Sequence, residues 1–86
     1  MPDSTFLSRF YTTLEVYLSQ TAVAARNNDL TNAQKLGHKM LGLCQMFGTA
    51  EQVTLCEILE NVQSLSSLIH TLERLNSQIE GDKQRS

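Results

Sequence analysis

Eighty-six residues allow one domain with one compact core, burying roughly 60–65% of the surface an unfolded chain exposes. With 19% charged residues, a net charge of −2, four glycines and one proline, the chain is neither collagen-like, nor a disulfide scaffold, nor disordered, and its composition disfavours a sheet protein. Its seven Lys and Arg are scattered, so no basic patch points to nucleic acid, and no apolar run approaches the ~18 residues that span a membrane.

The first predicted helix, residues 4–26, can be capped by Ser4 and repeats Phe6, Phe10, Leu14, Tyr17, Leu18 and Thr21 at three- and four-residue spacing. Asn27-Asn28-Asp29 breaks the pattern, and Asp29 stands where the next helix needs a cap. The second helix, residues 30–47, puts Ala33, Leu36, Met40, Leu43 and Phe47 on one side and stops at Gly48. Thr49-Ala50-Glu51-Gln52 has the spacing of a capping box. It opens a third helix, residues 50–63, with Val53, Leu55, Cys56, Ile58, Leu59 and Val62 on a broad apolar face. A serine-rich connection leads to the fourth, residues 66–79, where Leu65, Leu68, Ile69, Leu72, Leu75 and Ile79 form a nearly heptad stripe. Residues 81–86 are polar and are expected to form a mobile tail. Connections this short force consecutive helices to run antiparallel. The expected architecture is therefore all-α, an up-down-up-down four-helix bundle occupying residues 1–86 as one domain.

Leu36-Gly37-His38-Lys39-Met40-Leu41-Gly42 breaks helix rules twice, since each interior glycine costs about 1 kcal/mol relative to alanine. At 100° per residue, His38 lies about 160° from Met40 and so points away from the apolar stripe. Gly42 stands one turn further along the same face. A displayed histidine beside a missing side chain gives a bulky partner room to bring a reactive group onto the imidazole. Gly37 fits that reading or, equally, close packing of two helices.

Residues in two antiparallel helices meet at equal heights from their turn. His38 precedes Gly48 by ten residues, ~15 Å, and Glu60 follows Thr49 by eleven, ~16 Å. A carboxylate at that level can accept the Nδ1 proton, fix the tautomer and leave Nε2 outward as a nucleophile; the alternative is a solvated surface charge. His70, on the polar side of the last helix, reads as an ordinary surface histidine.

His38-Lys39-Met40-Leu41-Gly42, then Phe47-Gly48, Leu55 and Ile58-Leu59-Glu60, resemble the histidine-containing phosphotransfer (HPt) domain over about residues 6–79. The usual pattern of that family is roughly A-H-x-L-K-G-x(5)-G-x(6)-L-x(4)-E. The resemblance implies that His38 accepts a phosphoryl group from the aspartate of one response-regulator receiver domain and passes it to another. Gly42 is then the clearance residue, and Glu60 orients the imidazole. Leu41 stands where a lysine usually helps to hold the phosphoryl oxygens, and Leu43 where a small residue is usual. Lys35 and Lys39 are expected to supply positive charge, while Leu41 and Gln45 are expected to contact the docked receiver. The partners implied are the receivers of a hybrid sensor kinase and of a response regulator. Mg²⁺ belongs to the receiver, so no cofactor is expected on this chain.

No G-x-x-x-x-G-K-[ST] sequence is present, and no autokinase activity is expected. A helical adaptor that binds a receiver or kinase domain without being phosphorylated is the competing reading, and Leu41 favours it. Cys44 and Cys56 are expected to be buried free thiols, and no metal-ligand spacing is visible. No basic stretch followed by an apolar one opens the sequence, so the cytoplasm is the expected compartment. Either a free-standing protein or the C-terminal domain of a hybrid kinase fits.

Overall fold

The computed structural model describes residues 4–85, with side chains over residues 6–84. The described residues are all-helical and form four helices, α1 (Ser4–Arg26), α2 (Leu30–Phe47), α3 (Ala50–Glu60) and α4 (Leu65–Arg85). The cap expected from the Ser4 hydroxyl lies outside the described side chains.

Local chemistry sets the junctions. Asn28 adopts a left-handed φ of 54°, which asparagine tolerates. The N–H groups of Asn28 and Asp29 donate back to the Ala25 and Ala24 carbonyls at 3.1 and 2.8 Å, closing α1 with a Schellman arrangement. Asp29 also opens α2, its Oδ1 accepting from the Asn32 N–H at 3.1 Å. At the other end of α2, Gly48 has an extended backbone, with φ −98°, so no left-handed turn requires glycine there. Space does, because a Cβ would lie 2.9 Å from the Cys44 Cα. Both halves of the capping box at the start of α3 form: Thr49 Oγ1 accepts from the Gln52 N–H at 3.2 Å, and Gln52 Oε1 from the Thr49 N–H at 3.0 Å.

Two boundaries differ from the sequence expectation. α3 stops at Glu60 rather than near residue 63, because the Asn61 and Val62 N–H groups tighten onto the carbonyls three residues back, Ile58 and Leu59, at 3.1 and 3.3 Å. The Val62 carbonyl then accepts from Gln34 Nε2 of α2 at 2.6 Å. α4 does not end at residue 79, and residues 81–85 continue the helix instead of forming a tail. Long-range contacts hold this end: Asp82 accepts from the Tyr11 hydroxyl and, at 3.4 Å, from Gln52 Nε2, while Lys83 Nζ lies 2.9 Å from Glu15.

α2 packs against both α1 and α3, and α4 against the same two. The core runs along this arrangement through Leu14 and Leu18 of α1, Met40 and Cys44 of α2, Leu55, Cys56 and Leu59 of α3, and Leu68, Leu75 and Ile79 of α4. Not every residue of the apolar stripes reaches it. Phe6, Phe47, Ile58 and Ile69 are exposed. Buried polar groups are satisfied: Thr21 and Thr71 donate to the Tyr17 and Ser67 carbonyls at 2.7 Å, and no buried side-chain N or O among the described residues lacks a partner.

Candidate functional site

α2 has a buried arc and an outward face. Ala33, Leu36, Gly37, Met40, Leu41 and Cys44 are buried, whereas Lys35, His38, Lys39, Gly42 and Gln45 are exposed. The His38 side chain is 78% exposed, and its Nδ1 lies 2.8 Å from Oε2 of Glu60, the last residue of α3. Nδ1–H donating to the carboxylate puts the ring lone pair on Nε2, in solvent. His38 and Glu60 thus meet at the level expected from their equal heights above the turn, and Glu60, with 26% of its side chain exposed, is partly sheltered rather than a free surface charge.

Gly37 explains why the carboxylate can come so close. A Cβ on it would lie 2.9 Å from the Glu60 backbone nitrogen and 3.1 Å from the Leu59 carbonyl carbon. The absent side chain lets the end of α3 rest on α2 at the level of His38, which makes close helix packing the reason for this glycine. Gly42 is the opposite case, with nothing within 4 Å of its added Cβ. One turn beyond His38 the surface is therefore open.

Lys35 and Lys39 are exposed beside His38, and neither is ion-paired among the described residues. α2 carries no carboxylate, so these ammonium groups leave its outward face positive. Leu41 is corrected by the structure: it is only 8% exposed and belongs to the core, so it offers no contact to a docked partner. A single apolar stripe serves one neighbour, but α2 packs on two, which widens the buried arc to include Gly37 and Leu41. Gln45 stays on the outward face.

Met46 was missed by the sequence reading. It is 72% exposed, one turn beyond Gly42. An apolar residue off the core stripe was the available signal. Next to it, Phe47 packs edge-on against Phe6 with ring centroids 4.6 Å apart and lies 6.0 Å from Phe10, so the end of α2 presents apolar surface. His70 is exposed on α4 and has no role in the His38–Glu60 pair.

Cys44 and Cys56 are free and buried, with Sγ atoms 3.9 Å apart. Among the described residues, no group of three or more His, Cys, Asp or Glu could hold a metal ion, and no helix is long and apolar enough to cross a membrane.

No curated protein and no solved structure matches the chain. The family model of the Hpt domain matches residues 5–84, nearly the whole length. Members of that family mediate phosphotransfer in two-component phosphorelays, in which they interact with receiver domains. The chain, with its displayed histidine on an all-helical frame, belongs to the Hpt domain family.

Proposed function

We propose that the chain is a phosphorelay intermediate: Nε2 of His38 takes a phosphoryl group from the phosphoaspartate of one receiver domain and gives it to the aspartate of another. The observation that carries this reading is the His38 Nδ1 to Glu60 Oε2 contact at 2.8 Å beside the open position at Gly42. Glu60 holds the proton on Nδ1, so the Nε2 lone pair faces the incoming phosphorus while the aspartate oxygen leaves. Return transfer reverses the roles of histidine and aspartate.

Phosphoryl transfer needs positioning and charge neutralisation more than covalent help. Lys35 and Lys39 lend positive charge from the α2 face, and the receiver brings the aspartate and Mg²⁺. The chain contributes no nucleotide site and no autokinase step. Docking spreads from His38 over Gly42, Gln45 and Met46, with the Phe6–Phe47 pair at its apolar edge. An up-down-up-down arrangement of the helices is supported by contacts that join the start of one helix to the end of another, such as Phe6 with Phe47, Gln34 with Val62 and Tyr11 with Asp82. The partner receivers are those of a hybrid sensor kinase and of a response regulator in the cytoplasm.

The absence of a lysine three residues after His38, where the buried Leu41 stands, favours a second reading, a non-phosphorylated adaptor that docks on a receiver. Incubation with a phosphorylated receiver and Mg²⁺ separates the two. The relay places an acid-labile, base-stable phosphate on this chain, and His38→Gln abolishes it while the helical circular dichroism is retained. An adaptor binds the receiver with no label transferred. Full labelling of His38→Gln would overturn the assignment of the phosphoacceptor.

A further inference from the structure

The thiols of Cys44 and Cys56 serve no step of the relay, yet they face each other across α2 and α3. Their Sγ atoms are 3.9 Å apart, both side chains are buried, and no other cysteine exists in the chain. Cys56 lies one turn before Glu60, and Cys44 less than two turns after His38, so the pair joins the two helices that build the His38–Glu60 contact. We propose that Cys44 and Cys56 are an oxidation site, a dithiol that a peroxide converts to an intramolecular disulfide clamping α3 to α2.

The sulfur separation leaves a short approach. A disulfide needs sulfurs about 2.0 Å apart. From 3.9 Å the remaining approach is roughly 1.9 Å, within reach of a side-chain rotation and a small helix adjustment. The two thiols also differ in role. Cys56 donates its hydrogen to Cys44, which pushes the Cys44 thiol below its ordinary pKa against the opposing effect of burial. The same hydrogen bond, with burial, pushes Cys56 up. Cys44 is therefore the first nucleophile. With both thiols buried, peroxide has to reach them through a local opening of the helices around them.

Cys44 thiolate attacks one peroxide oxygen, the O–O bond breaks, and the hydroxide released takes a proton to become water. The Cys56 thiol then attacks the sulfur of the sulfenic acid on Cys44, giving up its proton. The S–O bond breaks, the S–S bond forms, and a second water leaves with the Cys56 proton. Two thiols and one peroxide give one disulfide and two waters, with the sulfur pair oxidised by two electrons. Disulfides in reducing compartments are mostly of this reversible, sensing kind.

The test uses the reduced full chain, treated with millimolar hydrogen peroxide and digested with a protease that cuts after glutamate under non-reducing conditions. Cys44 then lies in residues 16–51 and Cys56 in residues 52–57, so a linked pair of peptides appears only if the bridge has formed. Linked peptides are the readout because exposed Met46 also takes up oxygen, which complicates the intact mass. The expected result is loss of both titratable thiols, a linked pair that dithiothreitol separates, a monomer on a non-reducing gel, and a melting midpoint raised by roughly 5–15 °C. Cys56→Ser should instead trap a dimedone-reactive sulfenic acid on Cys44. Two thiols surviving a dose that oxidises the denatured chain, cross-linked dimers in place of the internal bridge, or a lowered midpoint would each overturn the proposal. None of these readouts depends on phosphotransfer, so the dithiol can fail while the relay stands, and the reverse.

Discussion

Gly37 and Gly42 sit five residues apart on α2 and lack side chains for opposite reasons. At Gly37 the obstacle to a Cβ is backbone, the Glu60 nitrogen at 2.9 Å, and backbone cannot swing away as a side-chain end can. Gly37→Ala should cost about 1–3 kcal/mol despite the better helix propensity of alanine. It should also weaken the hold of Glu60 on His38. Gly42→Ala meets nothing in the fold and should stabilise the protein by up to about 1 kcal/mol. Denaturant titration of the two variants checks the opposite signs; equal shifts would mean that α3 does not rest on Gly37. At this scale the sequence was informative where chemistry and helix geometry act together. His38 and Glu60 could be placed by counting residues from the turn at Gly48, and Gly42 by its one-turn offset from His38. Leu41 could not, since its burial depends on how the neighbouring helices pack on α2.

Among the elements, α1 ends, and α2 begins and ends, where their cap residues suggest, because Asn28, Asp29 and Gly48 act on backbone groups within a few residues. α4 was legible only as far as its leucines. Its last turn and a half is held by partners distant in sequence, Tyr11, Glu15 and Gln52, which no local pattern reveals. Burial, then the hydrogen bond to Asp82 and that carboxylate's charge, push Tyr11 up to about 12 from its ordinary 10. The folded state therefore favours the neutral phenol. Its contribution is fully present below pH 10 and is lost as pH rises through about 12, amounting to at most about 2–3 kcal/mol. The difference in stability between wild type and Tyr11→Phe should shrink across that window, measured by denaturation at pH 9 and pH 12. An unchanged difference would mean that the phenol is not coupled to folding. Amide exchange gives an independent check, since the N–H groups of residues 81–84 should be protected as helix rather than exchange at coil rates.

The whole molecule measures 42 × 20 × 20 Å, with a radius of gyration of 12.4 Å against the ~12 Å expected of a compact chain this long. Two helices meet at the site and the rest of the frame holds them in register, with Gln52 joining Thr49 to Gln78 and Asp82 in one chain of hydrogen bonds. The imidazole stands on the outside of that frame, 78% exposed. If His38 carries phosphate, bulk water reaches it from most directions and the protein offers no shield. The lifetime of the loaded state would then be the intrinsic lifetime of a phosphoramidate in water, and only a docked partner, by covering the group, would make transfer faster than hydrolysis. Signal loss between encounters would then grow with elapsed time alone in the isolated chain.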